Sequence, residues 1–297
     1  MAQIIPALDD IVQNYDAVFC DLWGCLHNGK TAFPAAVAAL QSARARGVKV
    51  VLLTNSPRPK ASVAAQLDGL LVPRDAWDEI VTSGDAAQMA LVTGAVGRKI
   101  YPIAAPKDEP FFSQFAPDLQ AIYEAQGPIT RVDHLQEAEG VVCTGLRDDL
   151  HETPEDYRAE LLLAKTLGLP LLCANPDIVV DFGDRRLYCA GALAKTYEEM
   201  GGKAFYFGKP HPPIYDLARR RLAALTSLEE PKILVIGDGV KTDVGGGLAE
   251  GLDVLFITGG IESSAFGPDP ARPDPDLLAA WLKERAIAPL YAMGHLA

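Results

Sequence analysis

The sequence predicts an α/β protein built on mostly parallel sheets, and three observations carry that prediction. Short apolar, β-branched runs alternate with amphipathic stretches along the chain, the pattern of βαβ units. Four of those runs end in polar residues, as strands do at the ligand-binding edge of an open parallel sheet. The composition is globular: of 297 residues, 49% are hydrophobic and 22% charged, which allows a sizeable core and excludes general disorder. At about 150 residues per domain, the length suits two domains or one large one.

The elements follow in chain order. A strand is expected at Ala17–Cys20, then a helix over Ala35–Arg46, where Val37, Leu40 and Ala43–Ala45 share one side and Gly47 supplies a C-cap. Strands at Val48–Thr54 and Glu79–Thr82 precede a helix over Ser83–Val92. Further strands are expected at Lys99–Ile103, Gly140–Thr144 and Leu169–Ala174. A helix over Pro154–Leu167 opens with Thr153 as N-cap and proline in its first turn. Helices over Ala192–Gly201, Pro213–Leu225 and Thr242–Gly251 then alternate with strands at Ala204–Phe207, Ile233–Ile236 and Val254–Ile257. The proline-rich segments Ala104–Pro117 and Phe266–Pro275 read as surface loops. Nine strands are many for one sheet, yet no repeat or low-complexity linker divides the chain.

Lys and Arg number 27 against 39 Asp and Glu, a formal net charge of -12. Duplex nucleic acid needs a basic face and is not an expected partner. The N-terminus has no basic region followed by a long apolar stretch, so neither a signal peptide nor a membrane anchor is expected. The five cysteines, Cys20, Cys25, Cys143, Cys173 and Cys189, form no CxxC pair and suit a reducing, cytoplasmic compartment.

The four polar strand ends carry the chemistry. Ala17-Val18-Phe19-Cys20-Asp21 puts a carboxylate directly after a buried strand, which is unfavourable unless that group is paired or used. Leu52-Leu53-Thr54-Asn55-Ser56 ends in hydroxyl and amide groups, and Gly208-Lys209-Pro210 fixes a lysine. Ile236-Gly237-Asp238 through Thr242-Asp243 sets two carboxylates five residues apart where a strand gives way to a helix. These are the parts of phosphoryl transfer to a carboxylate: an aspartate nucleophile, oxygen ligands for Mg²⁺, and a lysine and hydroxyl for the phosphoryl oxygens. Each segment alone is weak, since Gly-Lys-Pro is commonly a turn and a strand-end Asp commonly a helix cap. Gly245-Gly246-Gly247 lacks dinucleotide-loop spacing.

This ordered set resembles the haloacid dehalogenase-like hydrolases, and more narrowly their subclass IIA, the NagD-like and nitrophenylphosphatase-like phosphatases. The narrower cues are Leu53-Thr54-Asn55-Ser56, Val81-Thr82-Ser83-Gly84, Ala174-Asn175-Pro176-Asp177, Gly191-Ala192-Leu193, Gly208-Lys209-Pro210 and Thr258-Gly259-Gly260. The resemblance implies a Rossmann-like core of residues 1–81 and 191–297, with an inserted α/β cap of the C2 type over 82–190. It implies that Asp21 is the nucleophile and a metal ligand, with the backbone carbonyl of Trp23 and Asp238 as further ligands to Mg²⁺. Asp243 would support that metal, and Thr54 and Lys209 would hold the phosphoryl group. Asn55, Asn175 and Asp177 would contact substrate, although Asp177 could equally cap a turn. The implied substrate is a small phosphorylated metabolite, such as a sugar phosphate or nucleotide, and the implied assembly a homodimer through the cap.

The sequence departs from the family pattern at Trp23, where a second aspartate usually serves as general acid and base. General acid–base catalysis contributes about 10²–10⁴ in rate. Three readings stay open: a slow phosphatase with His27 in the flap as stand-in, a weakened phosphometabolite-binding or regulatory protein, and a phosphotransferase. For His27 the plain alternative is a surface-loop residue.

Overall fold

The structure, a computed structural model, describes residues 2–182 and 185–297. Among these, fourteen strands are present: β1 (Gln3–Ile4), β2 (Ala17–Cys20), β3 (Lys49–Thr54), β4 (Glu79–Thr82), β5 (Lys99–Ile103), β6 (Thr130–Arg131), β7 (Gly140–Cys143), β8 (Leu171–Cys173), β9 (Val179–Phe182), β10 (Arg185–Tyr188), β11 (Ala204–Tyr206), β12 (Ile233–Gly237), β13 (Asp253–Ile257) and β14 (Tyr291–Met293). They form two parallel sheets and one hairpin. The core sheet has the order β1-β14-β13-β12-β2-β3-β4, and the cap sheet β11-β8-β7-β5-β6. Strands β9 and β10 pair antiparallel beside the cap.

The core sheet is covered on both faces, as parallel sheets require. Alternate residues along each strand supply the two sides. Val18, Cys20, Val50, Leu52, Leu234 and Ile236 pack one way, with helix Pro34–Ala45. Phe19, Val51, Leu53, Val235, Val254 and Phe256 pack the other way, with helices Pro212–Ala223 and Pro275–Glu284. From β2 the chain winds outward through β3 and β4; after the cap it returns at β12 and winds the opposite way through β13 to β14. The strand order therefore reverses between β2 and β12, the crevice in which open α/β sheets bind ligands.

The expected cap boundary at residue 190 needs correction. Helix Ala190–Glu199 buries Ala190, Leu193, Ala194 and Tyr197 among Val141, Cys143, Leu171 and Cys173 of the cap. Strand β11 then pairs with β8, so the cap sheet extends to Tyr206. The apolar stripe of this helix has cap strands as its partner, a fact of tertiary packing that no composition shift announces. Strands β1, β6, β9, β10 and β14 were not expected, nor were helices Lys60–Gly69, Pro117–Gln126 and Pro275–Glu284. Lys60–Gly69 buries only Val63 and Leu67 and presents little apolar periodicity to read. The Ala104–Pro117 segment holds a tight turn at Pro106–Asp108 and a short helix at Pro110–Ser113 where a loop was expected. No helix among the described residues is long and apolar enough to cross a membrane.

Candidate active site

One cavity of about 450 Å³ lies where the two parallel sheets approach each other. The core contributes residues that end or follow β2, β3 and β12: Asp21, Thr54 with Asn55, and Asp238. The cap contributes residues that follow β5, β7 and β8: Asp108, Thr144 and Asn175 with Asp177. Both sheets thus present their carboxyl edges to the same space. Lys209 enters it from the segment just after β11.

Lys209 is the electrostatic centre. Its side chain is 2% exposed, and Nζ donates to Asp21 Oδ1 and to Asp243 Oδ1, each at 2.6 Å. Burial opposes its charge, but the two carboxylates outweigh that and hold the ammonium well above its ordinary value. Asp243 reaches Lys209 from the irregular turn Val240–Val244, and its Oδ2 accepts from the Gly239 backbone at 3.1 Å. Asp238 Oδ2 accepts from the Ile261 backbone at 3.0 Å. Burial, then the nearby carboxylates, push Asp238 well above the ordinary carboxylate range, and Asp21 rises for the same reasons.

Two glycines make these approaches possible. Gly24 has φ +75°, and a Cβ there would stand 2.1 Å from Asp238 Oδ2. A Cβ on Gly208 would stand 2.4 Å from Asn55 Oδ1, on the path of the hydrogen bonds that seat Lys209. Asn55 accepts from Lys209 N at 2.7 Å and donates through Nδ2 to Lys209 O at 3.0 Å and to Asp177 Oδ1 at 2.8 Å. Thr54 Oγ1 is buried on the cavity wall and accepts from Ser56 N at 3.2 Å.

The donor set fits a hard divalent cation. Carboxylate oxygens of Asp21 and Asp238 and Cys25 Sγ lie within 4.8 Å of one another, all three residues buried. Lys209 bonds Asp21 and Asp243 but not Asp238, so three buried carboxylates stand near one ammonium and added positive charge is favourable there. Buried carboxylates suit oxygen-seeking ions such as Mg²⁺ or Ca²⁺. The Cys25 thiol, pushed well above its ordinary value by burial, is a poor donor to such an ion.

Nine of the ten residues singled out in the sequence line this one cavity: Asp21, Trp23, Thr54, Asn55, Asn175, Asp177, Lys209, Asp238 and Asp243. Asn175 Oδ1 accepts from Asp177 N at 3.0 Å, turning the chain so that the Asp177 carboxyl meets Asn55. Burial pushes that carboxyl up to about 6, against the pull of Lys209 and the Asn55 hydrogen bond.

His27 is the exception, and its expected place in the chemistry is corrected. It is 0% exposed and does not line the cavity. Its ring meets Trp23 edge to face at 5.1 Å between centroids, and Nδ1 accepts from Gly29 N at 3.0 Å. Nε2 has no partner among the described residues. Burial lowers its pKa to about 4, so the imidazole is neutral at physiological pH and shielded from substrate. Trp23, in turn, reaches from the core toward the cap, 6.3 Å between centroids from Phe182 of β9.

The sequence reading missed Arg58, Asp108 and Thr144, which also line the cavity. Thr144 carried the same signal as Thr54, a hydroxyl at the end of an apolar run. Arg58 and Asp108 lay in proline-rich stretches with no strand to anchor them.

Comparison with known proteins agrees with this geometry. A family model for haloacid dehalogenase-like hydrolases matches residues 18–115, and a HAD-hydrolase-like model matches 206–284. A solved hydrolase of the haloacid dehalogenase-like family from Brucella suis 1330 is 41% identical, superimposes with a TM-score of 0.84, and covers 99% of this chain and 100% of its own. The ribonucleotide monophosphatase NagD of Escherichia coli (strain K12) is 26% identical over 251 residues, 83% of this chain and 88% of that one. A glycerol phosphate phosphatase from Mycobacterium tuberculosis, solved in complex with magnesium, is 25% identical with a TM-score of 0.61, covering 89% of this chain and 74% of that one. With its two-sheet architecture, its paired carboxyl edges and a full-length relative at this identity, the chain belongs to the haloacid dehalogenase-like hydrolases, in their NagD-like subclass IIA.

Proposed function

We propose that the protein is a Mg²⁺-dependent phosphatase that hydrolyses a small phosphomonoester through an aspartyl-phosphate on Asp21. The observation that carries the reading is the Asp21–Lys209–Asp243 bridge, 2.6 Å on each side, at the point where the core sheet reverses its strand order. Lys209 holds Asp21 Oδ1, so Oδ2 is the oxygen left to form the bond to phosphorus as the ester P–O bond breaks. Thr54 Oγ1 and the Lys209 ammonium face the phosphoryl oxygens. Attack of water on the aspartyl-phosphate then releases inorganic phosphate and restores the Asp21 carboxylate.

Asp21, Asp238 and the Trp23 carbonyl would hold Mg²⁺, which when bound offsets the negative charge of the phosphoryl group. Trp23 carries no proton to give the leaving oxygen, and His27 is shut away from it, so esters with good leaving groups are the faster substrates. The cap strands close the cavity on the other side and exclude bulk water.

The test is a phosphomonoester panel that includes an activated aryl ester, run with wild type and Asp21→Asn side by side, with and without Mg²⁺. Metal-dependent phosphate release by wild type, none by Asp21→Asn, and a phosphoryl mass increment on the wild-type chain support the mechanism. Turnover surviving in Asp21→Asn would overturn it.

A further inference from the structure

A buried thiol stands among the carboxylates of the site. Cys25 lies in the turn after β2 and is 1% exposed. The thiols of Cys20, Cys143 and Cys173 each meet a main-chain carbonyl, of Asp21, Gly145 and Asn175, whereas Cys25 makes no such bond among the described residues. Its Sγ lies instead with one carboxylate oxygen of Asp21 and one of Asp238, all three atoms within 4.8 Å of one another. Both carboxylates are more than nine-tenths buried, at 8% and 3% exposed. Lys209 takes one oxygen of Asp21 and the Ile261 backbone one of Asp238, so each carboxyl keeps a second oxygen for a cation.

Mg²⁺ leaves this thiol unused, because a hard cation takes oxygen and burial keeps the thiol protonated. A thiophilic cation changes that. Coordination draws the proton off the sulfur and into solvent, and the site then offers two carboxylates and a thiolate. Three negative donors face one dication, with the Lys209 ammonium beside them. In tetrahedral zinc sites, with Zn–S about 2.3 Å and Zn–O about 2.1 Å, neighbouring donors lie about 3.6 Å apart. The widest pair here therefore has at most about 1.2 Å to close, a matter of small side-chain rotations. We propose that Asp21, Cys25 and Asp238 form a binding site for a thiophilic divalent cation of the Zn²⁺, Co²⁺ or Cd²⁺ class, with Cys25 Sγ as a ligand. Such a cation competes with Mg²⁺ for the two carboxylates, and the thiolate lets the site discriminate by softness, which oxygen ligands alone do not. The inference shares the cation position of the phosphatase reading but does not depend on turnover.

The test titrates the magnesium-free full chain with Co²⁺ and with Cd²⁺ and reads the sulfur-to-metal charge-transfer absorption in the ultraviolet. Wild type should develop the band. Cys25→Ser should lose it and bind Cd²⁺ about 100-fold or more weakly, at least the cost of losing an outer-shell partner. The Mg²⁺ affinity of that variant, read by calorimetry, should match wild type, whereas Asp238→Asn should weaken the binding of both cations. Cys20→Ser should keep the band. Thermal melts establish that each variant is folded. The metal-edge X-ray absorption spectrum of the wild-type Cd²⁺ complex needs no variant and should show sulfur in the cation's shell. A shell of oxygen and nitrogen alone, or a band that survives in Cys25→Ser, would overturn the inference and leave Cys25 a packing residue. Either result leaves the phosphatase reading standing, because that reading is decided by Mg²⁺-dependent phosphate release; if that release fails, the cation titration is still decisive for Cys25.

Discussion

Replacing Asp177 by Asn should make the protein more stable at neutral pH while leaving it unchanged near pH 4. The carboxyl sits partly buried between Asn55 and the cavity, and burial lifts its pKa from the ordinary 3.8 to about 6. Below about pH 4 it is protonated whether the chain is folded or unfolded, and it has no effect on stability. Between about pH 4 and 6 the unfolded chain releases this proton while the folded chain keeps it, so stability falls as pH rises. Above about pH 6 the full penalty is present. A rise of about two pH units, at about 1.4 kcal/mol each, makes it about 3 kcal/mol. Asn carries no charge to desolvate and still accepts from Asn55 Nδ2. Urea melts at pH 5 and pH 7.5 measure the effect: the variant should gain about 3 kcal/mol at pH 7.5 and about half that at pH 5. A variant less stable than wild type at pH 7.5, or a difference that ignores pH, would show that the Asp177 charge is compensated in the fold.

Lys209→Met should abolish turnover and lower stability by about 3–5 kcal/mol, because Asp21 and Asp243 lose their shared cation in a buried site; a loss below about 1 kcal/mol in a urea melt would refute this. Trp23→Asp should raise kcat on alkyl phosphates, by up to about 10²–10⁴-fold, and far less on an aryl ester that needs no proton. An alkyl phosphatase rate no faster than wild type would mean that protonation of the leaving group is not limiting. His27→Leu should keep the shape of the pH–rate profile from pH 5 to 9, since the imidazole with its pKa near 4 stays neutral throughout; a limb that moves would return His27 to the chemistry.

Much of this architecture was legible because parallel strands buried on both faces announce themselves as apolar runs. Phe19, Val51 and Val235 lie in such runs, and the polar residues that end them, Asp21, Thr54 and Asp238, converge in the structure. Sequence patterns faded where an element takes its stability from a distant partner. Two-residue strands such as β1 are held by pairing with β14, nearly the whole chain away. The place of helix Ala190–Glu199 in the cap depends on contacts with β7 and β8 that its own periodicity does not specify. His27 shows the same limit at the scale of one side chain. Its neighbours in sequence place it in the flap after the nucleophile, but whether the ring faces solvent or lies under Trp23 is set by packing. Asp108 and Arg58 were hidden because they reach the cavity from irregular backbone.

A single amide, that of Asn55, grips both sides of the Lys209 peptide and the carboxyl of Asp177 at once. The cap and the backbone that carries the ammonium are thereby fastened to the same small clasp. Asp177 can be drawn away at the cost of one of these three bonds, while the two to the Lys209 backbone keep its ammonium aimed at the nucleophile.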